Sequence, residues 1–404
     1  MSTDLASKRS FILILGCLTG IGAVTIDMSL PAFPEMVIDL ATSMSIGQQV
    51  IGLFIAGMGL GQIPAGLISD RIGRMPVLYI GISIFIISGI ACTVTKNIEL
   101  LLLSRFIQGL GGSVGIVISR AIVRDISSGV QAARLMSVMV MIFTAGPILA
   151  PIVGAFLVDL WGWRAPFIAI VVFGVLMLLS VHTNLQETHR AAQLEHPIRQ
   201  LSLSLKEFFS HRRSRFGLLL GMLPSAGFIA MITGSSAIIM DIYGFSVQLF
   251  GIIFASCGFG ILMASMLSRY LVLVHGVMRM IGLGAVLIGI ASVQLLIIAW
   301  LGQVDFWWLW VNICLFMFGV GILMPNATAL ALDPVPQIAG VASSLIGTGH
   351  ALAMTTGSLV SSAMYDGTIR NVAIIMGTCG LATTITSLIR PFLLWLEKIV
   401  ESDH

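Results

Sequence analysis

The sequence predicts an all-α membrane protein of twelve transmembrane helices, arranged as two pseudo-symmetric six-helix bundles. Three observations lead there. Hydrophobic residues make up 57% of the 404, charged residues only 10%, and the mean hydropathy is +1.03; such a chain lacks the polar surface to face water and is solvated by lipid. Apolar runs of roughly 20 residues, the length that a hydrocarbon core of about 30 Å requires, recur twelve times. When the loops between them are assigned alternately to two sides, Lys and Arg collect on one of the sides.

The runs fall at 11–33, 46–68, 76–95, 99–123, 134–158, 165–183, 216–240, 248–268, 279–301, 306–331, 339–364 and 371–396. The first is too long for a signal-peptide core and no small-residue cleavage site with a polar exit follows it, so it reads as a retained span. The fifth and tenth carry Pro147, Pro151 and Pro325, tolerated in membrane helices because neighbours re-satisfy the backbone groups that proline frees. The longest polar stretch follows the sixth run. It divides the chain into a first bundle (1–183), a linker (184–215) and a second bundle (216–404). In the linker, Leu201, Leu205, Phe208 and Phe209 alternate with Lys206, His211, Arg212 and Arg213, the pattern either of an amphipathic helix on an anionic leaflet or of a solvated connector.

One side of the membrane receives Lys8, Arg9, Arg71, Arg74, Arg124, Arg134, Arg190, Arg199, Lys206, Arg212, Arg213, Arg215, Arg269, Arg279, Arg390 and Lys398; the other receives Lys96, Arg164 and Arg370, with Arg105 and Arg120 inside span four. The positive-inside rule then puts both termini in the cytoplasm, which agrees with an even number of spans. An offset of 199 residues superimposes span eight on span two. Gly52, Ala56, Gly59, Gly61, Ala65 and Ser69 recur as Gly251, Ala255, Gly258, Gly260, Ala264 and Ser268, an internal repeat of the kind found in transporter folds. The copy has Arg269 at the position of Asp70, so the duplication extends to structure and not to the charge chemistry. Cys17, Cys92, Cys257, Cys314 and Cys379 fall singly in apolar runs and read as packing residues, without a disulfide framework or metal site.

Several motifs stand in sequence. GLISDRIGR, from Gly66 to Arg74, concentrates charge and glycine between two apolar runs. LSRFIQGLGGSVG contains Arg105, Gln108, Gly109, Gly111 and Gly112; RAIVRD runs from Arg120 to Asp125; AGPILAPIVGA runs from Ala145 to Ala155. DMSLP, from Asp27 to Pro31, and PNATALAL, from Pro325 to Leu332, complete the set. In this order and spacing they resemble the major facilitator superfamily and, within it, the bicyclomycin and chloramphenicol resistance (Bcr/CflA) family of drug:proton antiporters. The resemblance covers nearly the whole chain. Met75 stands where many members have another base, and Ala150 and Pro151 replace the paired glycines of the broader span-five motif.

The resemblance implies the major facilitator fold and alternating access between two halves. It also implies that the segment holding Gly66, Asp70, Arg71, Gly73 and Arg74 is a cytoplasmic latch: Asp70 capping span eleven, and Arg74 reaching the acid that ends span four, here Asp125, to close the cytoplasmic side in the outward-facing state. Gly66 and Gly73 suit close approach and a tight turn in such a loop, and Asp70 suits the positive end of a helix. Loop charges that only set topology are the plainer reading. Gly146, Pro147, Pro151 and Gly154 form the antiporter motif of span five; its prolines are expected to bend the helix, either to close a leak path, as in such antiporters, or in simple packing.

Asp27 is the only one of the 18 acids well inside a span, and an intramembrane carboxyl is costly and functional by default. Low dielectric favours its neutral form and a neighbouring guanidinium its charged form, so access of water or substrate can load or release a proton. Counting 1.5 Å per residue, Asp27 lies roughly 24 Å from the inner end of span one and Arg105 roughly 9 Å from the outer end of span four, nearly one depth in a core of about 30 Å. The two are expected to pair, for proton coupling or as a structural ion pair. Met28, Gln108, Arg120, Asn326 and His350 are further candidates for the cavity or substrate. The alternatives are a snorkelling Arg120, a hydrogen-bonded core His350 and a helix-bridging Asn326.

These readings describe a secondary active transporter of the bacterial cytoplasmic (inner) membrane that exports a small amphipathic compound, a drug or metabolite of the phenicol or bicyclomycin kind, in exchange for protons. A proton-coupled importer of a small metabolite and an exporter of a metal-chelating natural product are the alternatives. The expected partners are substrate, protons and the bilayer, without nucleic acid, and the expected state is monomeric. No cofactor or metal is expected, the proton gradient being the energy source. Gly109 to Gly112 lacks the lysine and strand-to-helix context of a phosphate cradle, no catalytic triad or carboxylate pair marks an enzyme, and no ring of charges or carbonyl filter marks a channel. Met222, Met231, Met240, Met263, Met317, Met324 and Met354 offer either a soft substrate surface or ordinary packing.

Overall fold

A computed structural model describes residues 9–127, 129–188 and 197–402; Lys8 and Arg190 of the basic set lie outside them. The described chain is helical throughout its long elements: span one (Arg9–Ser29), span two (Met44–Ile72), span three (Arg74–Val94), span four (Ile98–Ile126), span five (Gly129–Trp161) and span six (Ala165–Asn184). A linker helix (Pro197–Ser210) leads to span seven (Arg212–Ser236), and span ten (Phe306–Leu332), span eleven (Ala339–Ala363) and span twelve (Arg370–Ser402) close the chain. Between seven and ten runs one helical stretch, Val247–Leu301, of 55 residues.

That stretch is two spans. Straight, it would reach about 82 Å, over twice a hydrocarbon core. Gly276 breaks it with φ 76° and ψ 162°, and the chain folds back there: Ser265, before the break, donates to the Gly321 carbonyl at 3.1 Å, while Gly284, after it, lies against Gly319 and Leu323. Both arms therefore flank the same level of span ten. They are spans eight and nine.

Gly73, between spans two and three, has nearly the same backbone conformation, φ 99° and ψ 166°. The two turn glycines are 203 residues apart rather than 199, an insertion of four residues, about one helical turn. The segment from Gly66 to Arg74 is consequently not a loop. Helix continues through Asp70 and Arg71 to Ile72, and Gly73 alone supplies the reversal.

Caps explain where the spans of the opposite end begin. Ser43, Asn97, Ser246 and Asp305 accept from Ile46, Glu99, Leu249 and Trp307 backbone N–H groups, satisfying donors that a helix start leaves open. Prolines leave carbonyls unpaired inside spans. Pro325 gives no N–H to Gly321, and Ser265 takes its place. Span five likewise runs as helix through Pro147 and Pro151.

The two ends of the bundle are packed differently. At the end opposite the basic loops one apolar cluster joins both halves, running from Leu30, Phe33 and Val50 through Val158 to Ile238, Phe250 and Phe254. Ser45 Oγ donates to the Ser362 carbonyl at 2.5 Å and Gln248 Nε2 to Asp159 Oδ1 at 2.6 Å across the same seam. At the basic end the halves keep separate clusters, one around Phe11, Leu78 and Ile122, the other around Leu218, Ala331 and Phe208 of the linker helix. That helix buries Phe208 and leaves Leu203 and Phe209 exposed.

Removing the Ser265 hydroxyl should leave the Gly321 carbonyl unpaired. Ser265→Ala is expected to lower stability in detergent by about 1 kcal/mol, and by less in a Pro325→Ala background, where residue 325 regains an N–H. Equal losses in both backgrounds would show that the hydroxyl does not substitute for the missing donor.

Candidate functional site

Asp27 lies in the last turn of span one at 3% exposure and forms no hydrogen bond or ion pair among the described residues. Arg105 is buried at 1%, but its guanidinium is committed elsewhere. Nη2 donates to Ser29 Oγ at 2.7 Å and Nη1 to Gln108 Oε1 at 2.9 Å, while the group stacks over the rings of Phe167 and Phe54 at 4.7 and 5.4 Å. The pairing expected from equal depth is absent. The depth itself holds, since Ser29 is two residues from Asp27; but residues i and i+2 of a helix point about 200° apart, so an arginine that reaches Ser29 is turned away from the carboxyl. Two aromatic faces and two hydroxyl or amide acceptors stabilise the buried cation in place of an acid. Ser29, Phe54 and Phe167 therefore belong to the site, and charge-centred reading of the sequence passed over them.

Span five holds span one beside this carboxyl. A Cβ on Gly154 would overlap the Met28 carbonyl, and one on Gly146 would meet Val24 Cγ2 at 3.5 Å. Half-buried Met28 is thus gripped by its backbone, immediately after Asp27. The other face of span five meets span eight of the second half. There the glycines come from the partner helix: a Cβ on Gly258 would stand 3.2 Å from the Pro147 carbonyl, and one on Gly251 2.9 Å from Ile152 Cα and 3.1 Å from the Pro151 oxygen. Pro151 has no N–H for that Pro147 carbonyl, which instead faces the bare backbone of Gly258. The motif divides by partner, glycines toward span one and prolines toward span eight.

A second constellation sits at the basic end. Arg74, 5% exposed, donates through Nε to Asp125 Oδ2 at 2.9 Å and through Nη1 to Ser69 Oγ at 2.8 Å, and also pairs with Asp70. Thr188 Oγ1 donates to the same Asp125 oxygen at 3.1 Å. Glu187, one of the acids outside the spans, accepts from the Arg74 and Met75 backbone N–H groups at 2.9 and 3.0 Å. It caps the start of span three, where helix donors and a carboxylate attract. The Arg74–Asp125 contact expected from the motif is present. All of these groups belong to the first half or to the chain just after span six.

The link to the second half is narrower. Asp70 and Arg74 line a cleft with Arg124, Leu201 of the linker helix, and Gly340, Val341 and Ser344 at the start of span eleven. A Cβ on Gly340 would overlap the Arg124 guanidinium. The cleft holds about 160 Å³, below the roughly 300 Å³ at which ligand pockets begin, so it is a seam and not a substrate chamber. Gly66 is looser than expected: a Cβ there would meet only Val117, at 3.6 Å. Arg71 is exposed beside the latch.

Of the remaining candidates, Asn326 bridges spans eight and ten, donating to Ser268 Oγ at 2.8 Å and to the Ile322 carbonyl at 2.7 Å. His350 packs its ring into span seven at Gly221. Arg120 is exposed one turn before Arg124, on the stripe that faces span eleven. Gln108 serves Arg105. Gly57 and Gly109 let spans two and four touch by backbone, since a Cβ on either would overlap a carbonyl of the other helix.

Residues 13–358 match the family described as Major Facilitator Superfamily. The chain is 31% identical over 375 residues to a bicyclomycin resistance protein homolog of Haemophilus influenzae, covering 91% of this chain and 93% of that one. It is 28% identical over 400 residues to multidrug resistance protein D of Escherichia coli, covering 98% and 97%. Among solved structures, a D-xylose-proton symporter superimposes with a TM-score of 0.75 at 17% identity over 94% of this chain and 96% of that one, a likeness of fold alone.

The two motif glycines should respond oppositely to a methyl group. Gly154→Ala is expected to destabilise by about 1–3 kcal/mol through overpacking against Met28, whereas Gly66→Ala, in an open helical position, should be neutral or stabilising by about 0.5–1 kcal/mol. Thermal unfolding in detergent separates them, and equal behaviour would contradict the contacts described.

Proposed function

The chain belongs to the major facilitator superfamily, and on that premise we propose that it exports a small amphipathic compound in exchange for protons. It is a multi-pass membrane transporter and not an enzyme. The observation that carries the proton exchange is Asp27: a carboxyl at 3% exposure without a partner, one residue from the backbone that Gly154 grips. A bare charge at that depth is costly, so the buried carboxyl holds a proton until water or substrate reaches it from one side. Release changes the packing of span one against span five, and span five bears directly on span eight of the other half. The proton site and the interface that must move are thus neighbours on one helix.

Relatives named for bicyclomycin and multidrug resistance support a drug-like cargo. Met231 and Met317 are fully packed at 1% and 0% exposure, which leaves Met222, Met240, Met263, Met324 and Met354 as the soft surface of the second half. The Lys/Arg bias supports cytoplasmic termini and a latch on the cytoplasmic side.

In proteoliposomes under an imposed pH gradient, chloramphenicol or a related neutral drug should drive proton movement through the protein. Asp27→Asn is expected to abolish that coupling with thermal stability retained; undiminished coupling would reject Asp27 as the carrier. In inside-out vesicles, accumulation driven by an acid interior supports antiport, and its loss would favour uptake.

A further inference from the structure

Cys257 of span eight and Cys314 of span ten, each solitary in the sequence, meet in the fold with their Sγ atoms 3.7 Å apart, both as free thiols. Ser256 completes the group. Its hydroxyl donates to the Ile253 carbonyl at 2.6 Å, accepts from Trp310 Nε1 at 3.0 Å and lies 3.6 Å from Cys314 Sγ. With the Ser256 proton committed to Ile253, the Cys314 S–H donates to Ser256 Oγ and the Cys257 S–H to Cys314 Sγ. Cys257 is 1% exposed, Cys314 is half-buried and Ser256 is exposed, so the pair is reached from the Ser256 side. The repeat has Met58 at the position of Cys257, and the duplication therefore does not impose the pair; it belongs to the second half alone.

We propose that Cys257 and Cys314 form a dithiol site that chelates one soft, thiophilic centre of the trivalent-arsenical class, bridging spans eight and ten. Two sulfurs bound at about 2.3 Å to one pyramidal centre, at an angle between about 90° and 100°, stand about 3.3–3.5 Å apart, a few tenths of an ångström inside the 3.7 Å already present. A disulfide, at about 2.05 Å, would need the helices to close in. Thiolates select soft centres over the hard ions that carboxylates and carbonyls prefer. With an arsenical R–As=O the balance is simple: each sulfur forms one As–S bond, both thiol protons leave with the oxygen as one water, and no oxidation state changes.

The full-length protein in detergent, treated with phenylarsine oxide, should gain one arsenical per chain by intact mass and lose two maleimide-reactive thiols. Ethanedithiol should remove the adduct and an excess of mercaptoethanol should not. Cys257→Ser and Cys314→Ser are each expected to lose the monothiol-resistant adduct, while Cys17→Ser, Cys92→Ser and Cys379→Ser keep it. Should a serine variant fail to fold, digestion of the treated wild-type protein decides, since the arsenical should join the peptides containing residues 257 and 314. No adduct on the wild type, an adduct stripped by monothiol, or an adduct joining other peptides would overturn the proposal.

Discussion

Backbone contact on both faces of span five is the constraint on which the rest of the structure depends. Lipid gives apolar helices no hydrophobic reason to associate, so close approach has to come from small residues and van der Waals contact. On one face Gly154 admits the Met28 carbonyl of span one; on the other Gly251 and Gly258 of span eight admit the backbone around Ile152 and Pro147. A single helix is therefore held between the carboxyl-bearing span and the opposite half with little slack for side chains to absorb. A change in packing at Asp27 reaches the interface between halves through one rigid body.

The charged cluster at the basic end is more local. Arg74, Asp70, Asp125, Ser69 and Glu187 tie spans two, three, four and the exit of span six together, without a group from the second half. These contacts stand while one apolar cluster seals the opposite end, so the Arg74–Asp125 pair does not by itself report which way the bundle opens. What can part at the basic end is the thin seam in which Arg124 meets Gly340 and Asp70 faces the start of span eleven. The Arg74 contacts tie the first half together at its basic end, and the seam is where it meets the second half.

Composition and periodicity were enough for twelve spans, because hydrophobic length is a one-dimensional quantity. Even the fused helix from Val247 to Leu301 was legible as two runs. What escaped was direction around each helix. Depth counting put Asp27 and Arg105 at one level, but the two-residue step to Ser29 turned the arginine away. The acid and glycine offsets of GLISDRIGR pointed to Asp125, yet the segment is helical to Ile72, and Glu187 looked like an ordinary surface acid because its role is a cap on a helix more than 100 residues earlier. Cys257 and Cys314 looked solitary for the same reason.

On the proposed mechanism, the protonation state of Asp27 sets the arrangement of the two halves. The most direct test is the distance between spin labels at positions 71 and 269, exposed at the basic ends of spans two and eight, followed across pH in the wild-type background and with Asp27→Asn. Two populations that exchange with pH are expected in the wild type and a single pH-independent distribution in the variant. A variant that keeps the full pH-dependent shift would contradict that mechanism.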